Sequence, residues 1–479
     1  MEGNFVMNRN QQQMPLMEQL ISFAKKEPLS FHVPGHKNGA VFPDDIKAYF
    51  ESILPLDVTE LTGLDDLHAP QGVISEAAQL AADFFGAEHT FFLVGGSTVG
   101  NLAMILAACA PGDKIIVQRN CHKSVMNGLE LSGANPIFIS PEYDPSVQRY
   151  TAPSYSTVEQ AITEHPDAKA LVLTYPDYFG QTYPIKEMIE LAHHHQIPVL
   201  VDEAHGVHFA LGEPFPTSAL ALGADIVVQS AHKMAPALTM ASYLHIKSNF
   251  LSKELVGHYL QMLQSSSPSY LVMASLDSAR AYLATRTEND RENILTSAHQ
   301  VKRMFQHGEH WEVVTSNDPL KITLQMKDGL SGFAVADAFE AHGIYPELAT
   351  DRQVLFIHGL KGFEKSEKLQ KTIKSLNEQL KKQPNHATID TSDLFTETIQ
   401  QLAVTYQQMH RLRTKTVLIE HAKDQVAAEA IIPYPPGIPV ILKGERITEE
   451  QIRLIQHLIQ QGATFQHHAI EQGIQVFER

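Results

Sequence analysis

Cysteine is almost missing from this chain. Only Cys109 and Cys121 occur in 479 residues, so no disulfide framework holds the fold together. Tryptophan occurs once. No apolar run reaches the ~18–20 residues that a membrane helix needs. The opening Met1-Glu2-Gly3-Asn4 has none of the basic-then-apolar pattern of a secretory signal. Basic charge is in short supply. Lys and Arg number 37 against 54 Asp and Glu, for a net charge of −17. A surface that negative repels phosphate backbones and anionic lipid, which argues against general nucleic-acid or membrane-surface binding. The expectation is a cytoplasmic protein. What the chain does hold is 43% hydrophobic and 19% charged residues, the balance of a globular protein that buries a large core. At roughly 150 residues per domain its length allows two to four domains.

The first thirty residues carry one helical signal, opened by Pro15, with Leu16, Leu20, Phe23 and Ala24 on one face. Residues 31–75 are rich in Gly, Pro, Asp and His without a clear period and read as an irregular arm, either a solvated loop or the lining of a site. From about 76 to 245 apolar runs recur: Thr90–Val94, Lys114–Val117, Ala170–Tyr175, Pro198–Asp202 and Asp225–Gln229. Helical stretches at Ser75–Phe85, Val99–Ala110 and Lys186–His195 lie between them. This alternation predicts an α/β fold with a mainly parallel sheet covered on both faces. Helices follow residue 250, then a weaker α+β region near 310–380, and Lys381–His386 reads as a linker. A last helix spans 449–461. Thr448 and Gln451 form its capping box, Ile452, Ile455 and Ile459 line one face, and Gly462 stops it. The expected organisation is an N-terminal helix and arm over 1–75, a large domain over 76–300, a small α+β region over 301–382, and a C-terminal domain over 383–479.

Ligands of parallel sheets sit at the carboxyl ends of strands, and three such ends stand out. Val94-Gly95-Gly96-Ser97-Thr98-Val99-Gly100-Asn101 is a strand, a small-residue turn and an apolar helix. That is a phosphate cradle or equally an ordinary turn with its cap. Val199-Leu200-Val201-Asp202-Glu203-Ala204-His205-Gly206 ends an apolar strand in a carboxylate that wants a cationic partner or serves as a cap. Ile226-Val227-Val228-Gln229-Ser230-Ala231-His232-Lys233 places a lysine past a buried strand. A desolvated lysine there is a nucleophile for an aldehyde, while a strand-end surface lysine is the plain reading. Together they supply a phosphate cradle, a carboxylate for a ring nitrogen and an amine for an aldehyde, which are the needs of pyridoxal 5′-phosphate. Lys233 follows Asp202 by 31 residues, about one crossover unit. His193-His194-His195 points to different faces of a helix end. His205 and His208 lack the context of a zinc site.

The order cradle, Asp, Lys is that of fold-type-I pyridoxal-phosphate enzymes. His32–Gly39, Leu64-Asp65-Asp66-Leu67-His68, Arg119–Ser124, Ser230–Lys233 and Pro433–Pro439 together resemble the ornithine/lysine/arginine decarboxylase family. The likeness runs from about residue 15 to 460, with five motifs in the family's order, and is to the short form without the N-terminal wing domain. It implies a large domain of the transferase-like type with smaller α+β C-terminal domains, and pyridoxal 5′-phosphate as cofactor. It makes Lys233 the Schiff-base lysine, Asp202 the partner of the pyridinium nitrogen, and His122 the ring that stacks on the cofactor, with Ala204 on the other face. Gly96, Ser97, Thr98, Ser230 and His232 surround the phosphate or the lysine. Gln264–Tyr270, with Ser266 and Ser267, matches the segment that reaches a partner subunit's phosphate, which implies at least a homodimer.

The implied reaction is decarboxylation of lysine, arginine or ornithine, with a proton returned to Cα from Lys233 or His232. A cationic substrate tail calls for a carboxylate. Glu429 and Asp66 stand first, then Asp65 and Glu60. Where the family has Asn-Pro-Thr-Tyr, this chain has Tyr175-Pro176-Asp177-Tyr178, which adds a negative charge near the expected site. Two other readings use the same residues: a fold-type-I aminotransferase, and a non-catalytic relative. Retention of Lys233, Asp202 and His122 together argues against the second.

Overall fold

The computed structural model describes residues 9–327, 329–381, 392, 394–395, 397–433, 438–460, 463–466 and 470–478. The expected linker beyond Lys381, the central residues Tyr434–Gly437 of the Pro433–Pro439 motif, the helix stop at Gly462 and the first four residues lie outside that set. In chain order the main elements are α1 (Pro15–Ala24), α2 (Val73–Phe85), β1 (His89–Leu93), α3 (Gly96–Ala108), β2 (Lys114–Gln118), α4 (Lys123–Ser132), β3 (Asn135–Ile139), α5 (Tyr155–Glu164), β4 (Leu171–Thr174), α6 (Ile185–His194), β5 (Val199–Asp202), β6 (Ile226–Gln229), β7 (Ser242–Ile246), α7 (Lys253–Leu263), α8 (Tyr270–Ala284) and α9 (Glu288–Phe305). There follow β8 (Trp311–Val314), β9 (Lys321–Met326), α10 (Gly332–Glu340), β10 (Leu348–Ala349), β11 (Gln353–Ile357), α11 (Ser366–Leu380), β12 (Ile399–Gln401), β13 (Thr414–Val417), α12 (Glu449–Gln460) and β14 (Ile474–Phe477). The chain divides into two compact units, residues 1–107 with 200–287, and residues 108–199 with 288–479.

In the first unit β5 and β6 pair in parallel, while β7 is antiparallel to both β6 and β1. Every residue of β5, β6 and β7 is buried, as strands covered on both faces must be. Helix α3 packs against this sheet through Gly100. A Cβ there would lie 2.7 Å from Val228 and 2.8 Å from Leu93, so only glycine lets helix and strands come this close. Helix α1 opens at Pro15 as expected. Its first-turn N–H of Leu16 donates to Asp277 Oδ2 at 3.0 Å, and Asp277 pairs with buried Arg280 at 2.7 Å. Leu16 and Leu20 are buried, which is the packing that the isolated helical signal required.

The arm over 31–75 holds only short turns of helix, at Lys37–Gly39, Asp44–Lys47 and Leu54–Leu56. It is anchored at its end by Asp65. That carboxylate accepts the N–H groups of Gly72 at 2.8 Å, Ile74 at 3.0 Å and Ser75 at 3.2 Å, and so caps α2 from outside the helix. Burial opposes its charge, but the backbone N–H groups of Gln71, Asp66, Gly72 and Ser75 hold its carboxyl below the usual range. Asp65 is therefore engaged by the fold, not offered to a substrate.

In the second unit β2 pairs in parallel with β3 and β4, and β12 joins antiparallel to β3. The four strands β8, β9, β11 and β10, all antiparallel, enclose a separate core with α9, α10 and α11, built on Phe305, Trp311, Leu324, Phe339, Phe356 and Leu376. A third cluster centres on Ile431, Ile441, Ile455 and Val476. Helix α12 carries the expected capping box. Gln451 N–H donates to Thr448 Oγ1 at 3.2 Å, and Thr448 N–H to Gln451 Oε1 at 2.9 Å. The C-terminal segment is tied down by Arg119, which is wholly buried. Its guanidinium meets Glu445 at 2.8 Å and the carbonyls of Pro439 at 3.0 Å and Val440 at 3.1 Å. Gln451 and the Leu442 N–H also donate to Glu445, so both oxygens of the buried carboxylate are hydrogen-bonded.

Candidate functional site

Two successive antiparallel pairings, β1 with β7 and β7 with β6, make β1 and β6 run the same way. Strand β5 is parallel to β6. The carboxyl ends of β1, β6 and β5 therefore face one edge of the sheet, where ligands of such folds sit. Those ends carry the three sequence motifs. The hydroxyls of Ser97, in the first turn of α3, and Ser230, just past β6, are hydrogen-bonded to each other and buried. Gly96 opens the helix at φ +76°, a conformation suited to glycine, and its N–H is held by the Met240 carbonyl at 2.9 Å. Thr98, in the same turn, is exposed.

Asp202 ends β5 and is buried. Its Oδ1 accepts the Ala204 N–H at 3.2 Å and its Oδ2 accepts the Asn101 amide at 2.8 Å. The carboxylate is thus oriented from both sides, by its own turn and by α3. Lys233 lies in a one-turn helix at Ala231–Met234. Its Nζ is 3.1 Å from His205 Nε2. His232 is turned to the backbone, with Nδ1 3.1 Å from the Ala241 carbonyl oxygen.

Behind Asp202 a buried relay runs across the sheet. Glu203 accepts the Ala219 N–H and the Gln229 amide, both at 2.6 Å. Gln229 Oε1 faces His245 Nε2 at 3.1 Å, and His245 Nδ1 faces Thr90 Oγ1 at 2.9 Å. Burial pushes the His245 pKa down to about 3, so the ring is neutral, and Nε2 carries its proton toward the Gln229 carbonyl. Burial pushes Glu203 up to about 8, against the two hydrogen bonds that favour its charge.

The Ser265–Tyr270 segment is stitched to this unit. Gln264 Oε1 accepts the Val94 N–H at 2.8 Å, the Ser265 carbonyl meets His68 Nε2 at 2.8 Å, and Tyr270 donates to the Asp65 carbonyl at 2.6 Å. Ser266 and Ser267 are exposed. Asp66 Oδ1 accepts the His68 N–H at 2.8 Å.

The remaining expected residues belong to the second unit. His122 is the N-cap of α4, where its Nδ1 accepts the Ser124 N–H at 3.2 Å. Glu429 accepts the Gln475 N–H at 2.5 Å. The negative charge that Asp177 adds is engaged within its own unit. Asp177 is paired with Arg149, accepts the N–H groups of Phe179 at 3.0 Å and Gln181 at 2.8 Å, and its partner's guanidinium lies 4.2 Å from the Phe179 ring centroid. The negative charge is spent on fixing the 177–181 turn.

Sequence reasoning passed over Asn101, Glu203 and His205. Asn101 and Glu203 carried no motif of their own. The sequence sets His205 only against a zinc site, although its place three residues past a strand-end carboxylate is signal enough to ask what else it meets. The donor set of the first unit fits pyridoxal 5′-phosphate: hydroxyls and a helix start for the phosphate, an oriented buried carboxylate for a ring nitrogen, and an amine for the aldehyde.

Comparison with known proteins agrees with that chemistry. The family described as Orn/Lys/Arg decarboxylase, major domain, matches residues 14–324, and its C-terminal domain matches residues 386–469. An uncharacterized protein of Bacillus subtilis, YaaO, is 47% identical over 453 residues, covering 93% of this chain and 94% of the relative. An arginine decarboxylase of the same organism is 38% identical over 460 residues, with 93% and 94% covered. Among solved structures, the lysine decarboxylase of Francisella novicida superposes with a TM-score of 0.78 at 21% identity, covering 97% of this chain and 81% of that one. That likeness bears out the expected fold.

Proposed function

Because the chain belongs to the Orn/Lys/Arg decarboxylase family, pyridoxal-phosphate-dependent enzymes that remove the carboxyl group of an amino acid, we propose that its own substrate is a basic amino acid. Arginine stands first, with lysine and ornithine behind it. The order follows the relatives, since the 38%-identical B. subtilis protein bears the name arginine decarboxylase. The observation that carries the reading is the convergence of Ser97, Ser230, Asp202 and Lys233 at the strand ends of one sheet.

In this reading Lys233 holds the cofactor covalently. Gly96, Ser97, Thr98 and Ser230 hold its phosphate, and Ser266 and Ser267 serve the phosphate of a second copy. Bound pyridoxal phosphate supplies the electron sink that lets the bond from Cα to the carboxyl carbon break. Asp202 keeps a proton on the ring nitrogen, and Asn101 keeps Asp202 in place. Ala204 leaves room on one ring face, and His122 covers the other. Lys233 or His232 returns the proton to Cα, and Asp66 or Glu429 meets the cationic end of the substrate. The working unit is at least a homodimer, in the cytoplasm. Product analysis with arginine, lysine and ornithine in turn, with pyridoxal phosphate present, tests this. The expected outcome is CO₂ with agmatine in preference to cadaverine or putrescine. A keto acid in place of CO₂ and an amine overturns it in favour of amino-group transfer.

A further inference from the structure

Lys233 does not stand alone at the strand ends. Its Nζ lies 3.1 Å from His205 Nε2, and His205 is 4% exposed. An isolated lysine is protonated at neutral pH, with about one amine in a thousand uncharged. Only the uncharged amine attacks an aldehyde. Two positive charges at this separation, partly shielded from water, repel, so the contact favours a single positive charge shared by the pair. A neutral imidazole nitrogen is the natural acceptor.

The backbone turn that carries His205 is held in place. Its turn is closed by the Gly206 N–H to the Glu203 carbonyl at 2.9 Å, and pinned to β6 by the Glu203 N–H to the Val228 carbonyl at 2.9 Å. The Glu203 side chain is fixed in turn by Ala219 and Gln229. His232, the neighbour of Lys233 in sequence, has Nδ1 directed at the Ala241 carbonyl.

We propose that His205 is a catalytic residue that governs the proton on Lys233. His205 Nε2 takes a proton from the Lys233 ammonium, which leaves a lone pair on Nζ. That lone pair forms the C–N bond to the aldehyde carbon of pyridoxal phosphate. The histidine returns its proton to the aldehyde oxygen, which departs as water together with a proton from Nζ. One proton stays on the new nitrogen, and His205 ends neutral. The proposal rests on the reading that Lys233 carries the cofactor.

The test is the rate of covalent capture. Protein stripped of cofactor is mixed with pyridoxal phosphate, and the visible absorbance of the adduct is followed. Borohydride then fixes the adduct for peptide mapping. His205→Gln and His205→Ala are expected to capture cofactor about a hundredfold more slowly than wild type, the scale of a lost proton-transfer group. Added imidazole is expected to restore His205→Ala, which has space for it, and not His205→Gln. His205→Gln, close to histidine in volume, carries the test if the alanine variant fails to fold, as judged by circular dichroism. Capture at the wild-type rate in the folded variants, with the tag on Lys233, overturns the role of His205 alone. A wild-type tag on another lysine overturns the underlying assignment, and this proposal with it.

Discussion

Glu203 is a wholly buried acid whose chemistry is set by its surroundings. Its pKa is raised from 4.5 to about 8 by burial, so the native chain holds this proton more tightly than the unfolded chain does. The resulting stability is fully present below about pH 4.5 and is lost as the pH climbs through about 8. The relay has a second arrangement that suits the protonated form. If Glu203 donates to the Gln229 carbonyl, the Gln229 amide turns toward His245, and His245 moves its proton to Nδ1 to face Thr90. Glu203→Gln mimics that reversed state. We expect the variant to fold and its melting temperature to fall less than wild type between about pH 5 and 8. An unchanged slope would assign the alkaline loss to other groups. Two substitutions address the chemistry directly. Lys233→Ala is expected to abolish covalent cofactor capture and almost all decarboxylation, and borohydride should tag residue 233 in wild type. Asp202→Asn is expected to keep the fold and still bind cofactor, but to lose most turnover, because a neutral amide cannot hold the ring nitrogen protonated. Near-normal turnover in Asp202→Asn would show that the ring nitrogen has another partner.

At the level of elements, close packing decides what α3 can do. Gly100→Ala puts a methyl 2.7 Å from Val228 and 2.8 Å from Leu93. Overpacking of this kind costs about 1–3 kcal/mol, and the helix must move off the sheet that brings Ser97 to Ser230. The expected result is a lower denaturation midpoint together with weaker cofactor retention. A midpoint loss with unchanged retention would separate α3 packing from the cradle. The Arg149–Asp177 pair makes a parallel case in the second unit. Arg149→Met leaves a largely buried carboxylate without its cation, at a cost of about 3 kcal/mol in chemical denaturation. Such elements were legible to different degrees. Strands β2, β4, β5 and β6 are near-continuous apolar runs and were read to within a residue or so. Strand β3 begins with Asn135-Pro136, a turn signal, and β7 is Ser-Tyr-Leu-His-Ile, whose buried Ser242 and His245 break the apolar pattern. Helices α4 and α5 are rich in Ser, Asn, Thr and Glu, so their apolar faces stand out little from a polar background. The three strand-end motifs were legible because each is local. The contact of His205 with Lys233 and the bond from Asn101 to Asp202 join residues 28 and 101 positions apart, and only the assembled sheet brings them together.

For the molecule as a whole, the arm over 29–53 presents large apolar side chains to water. Leu29, Phe31 and Tyr49 are 88%, 95% and 83% exposed, and Val33 and Val41 are each 63% exposed. Single exposed apolar residues are ordinary, but such a run in one short segment marks a surface meant to be covered. The arm ends at Asp65, whose carbonyl receives Tyr270, and His68 reaches Ser265, so it is continuous with the serine-rich segment that carries Ser266 and Ser267. If a second copy of the chain covers the arm and that segment completes a neighbour's phosphate site, the assembly has two-fold symmetry. Cofactor then binds the pair and not the separated chains, and it stabilises the dimer by mass action. Sedimentation at falling protein concentration is expected to show a dimer that persists to lower concentration with cofactor than without it. Phe31→Ser with Tyr49→Ser is expected to raise the monomer fraction and leave the circular dichroism spectrum unchanged, since neither side chain is part of the core. A holoenzyme that sediments as an active monomer sinks the shared site and returns every phosphate contact to a single chain.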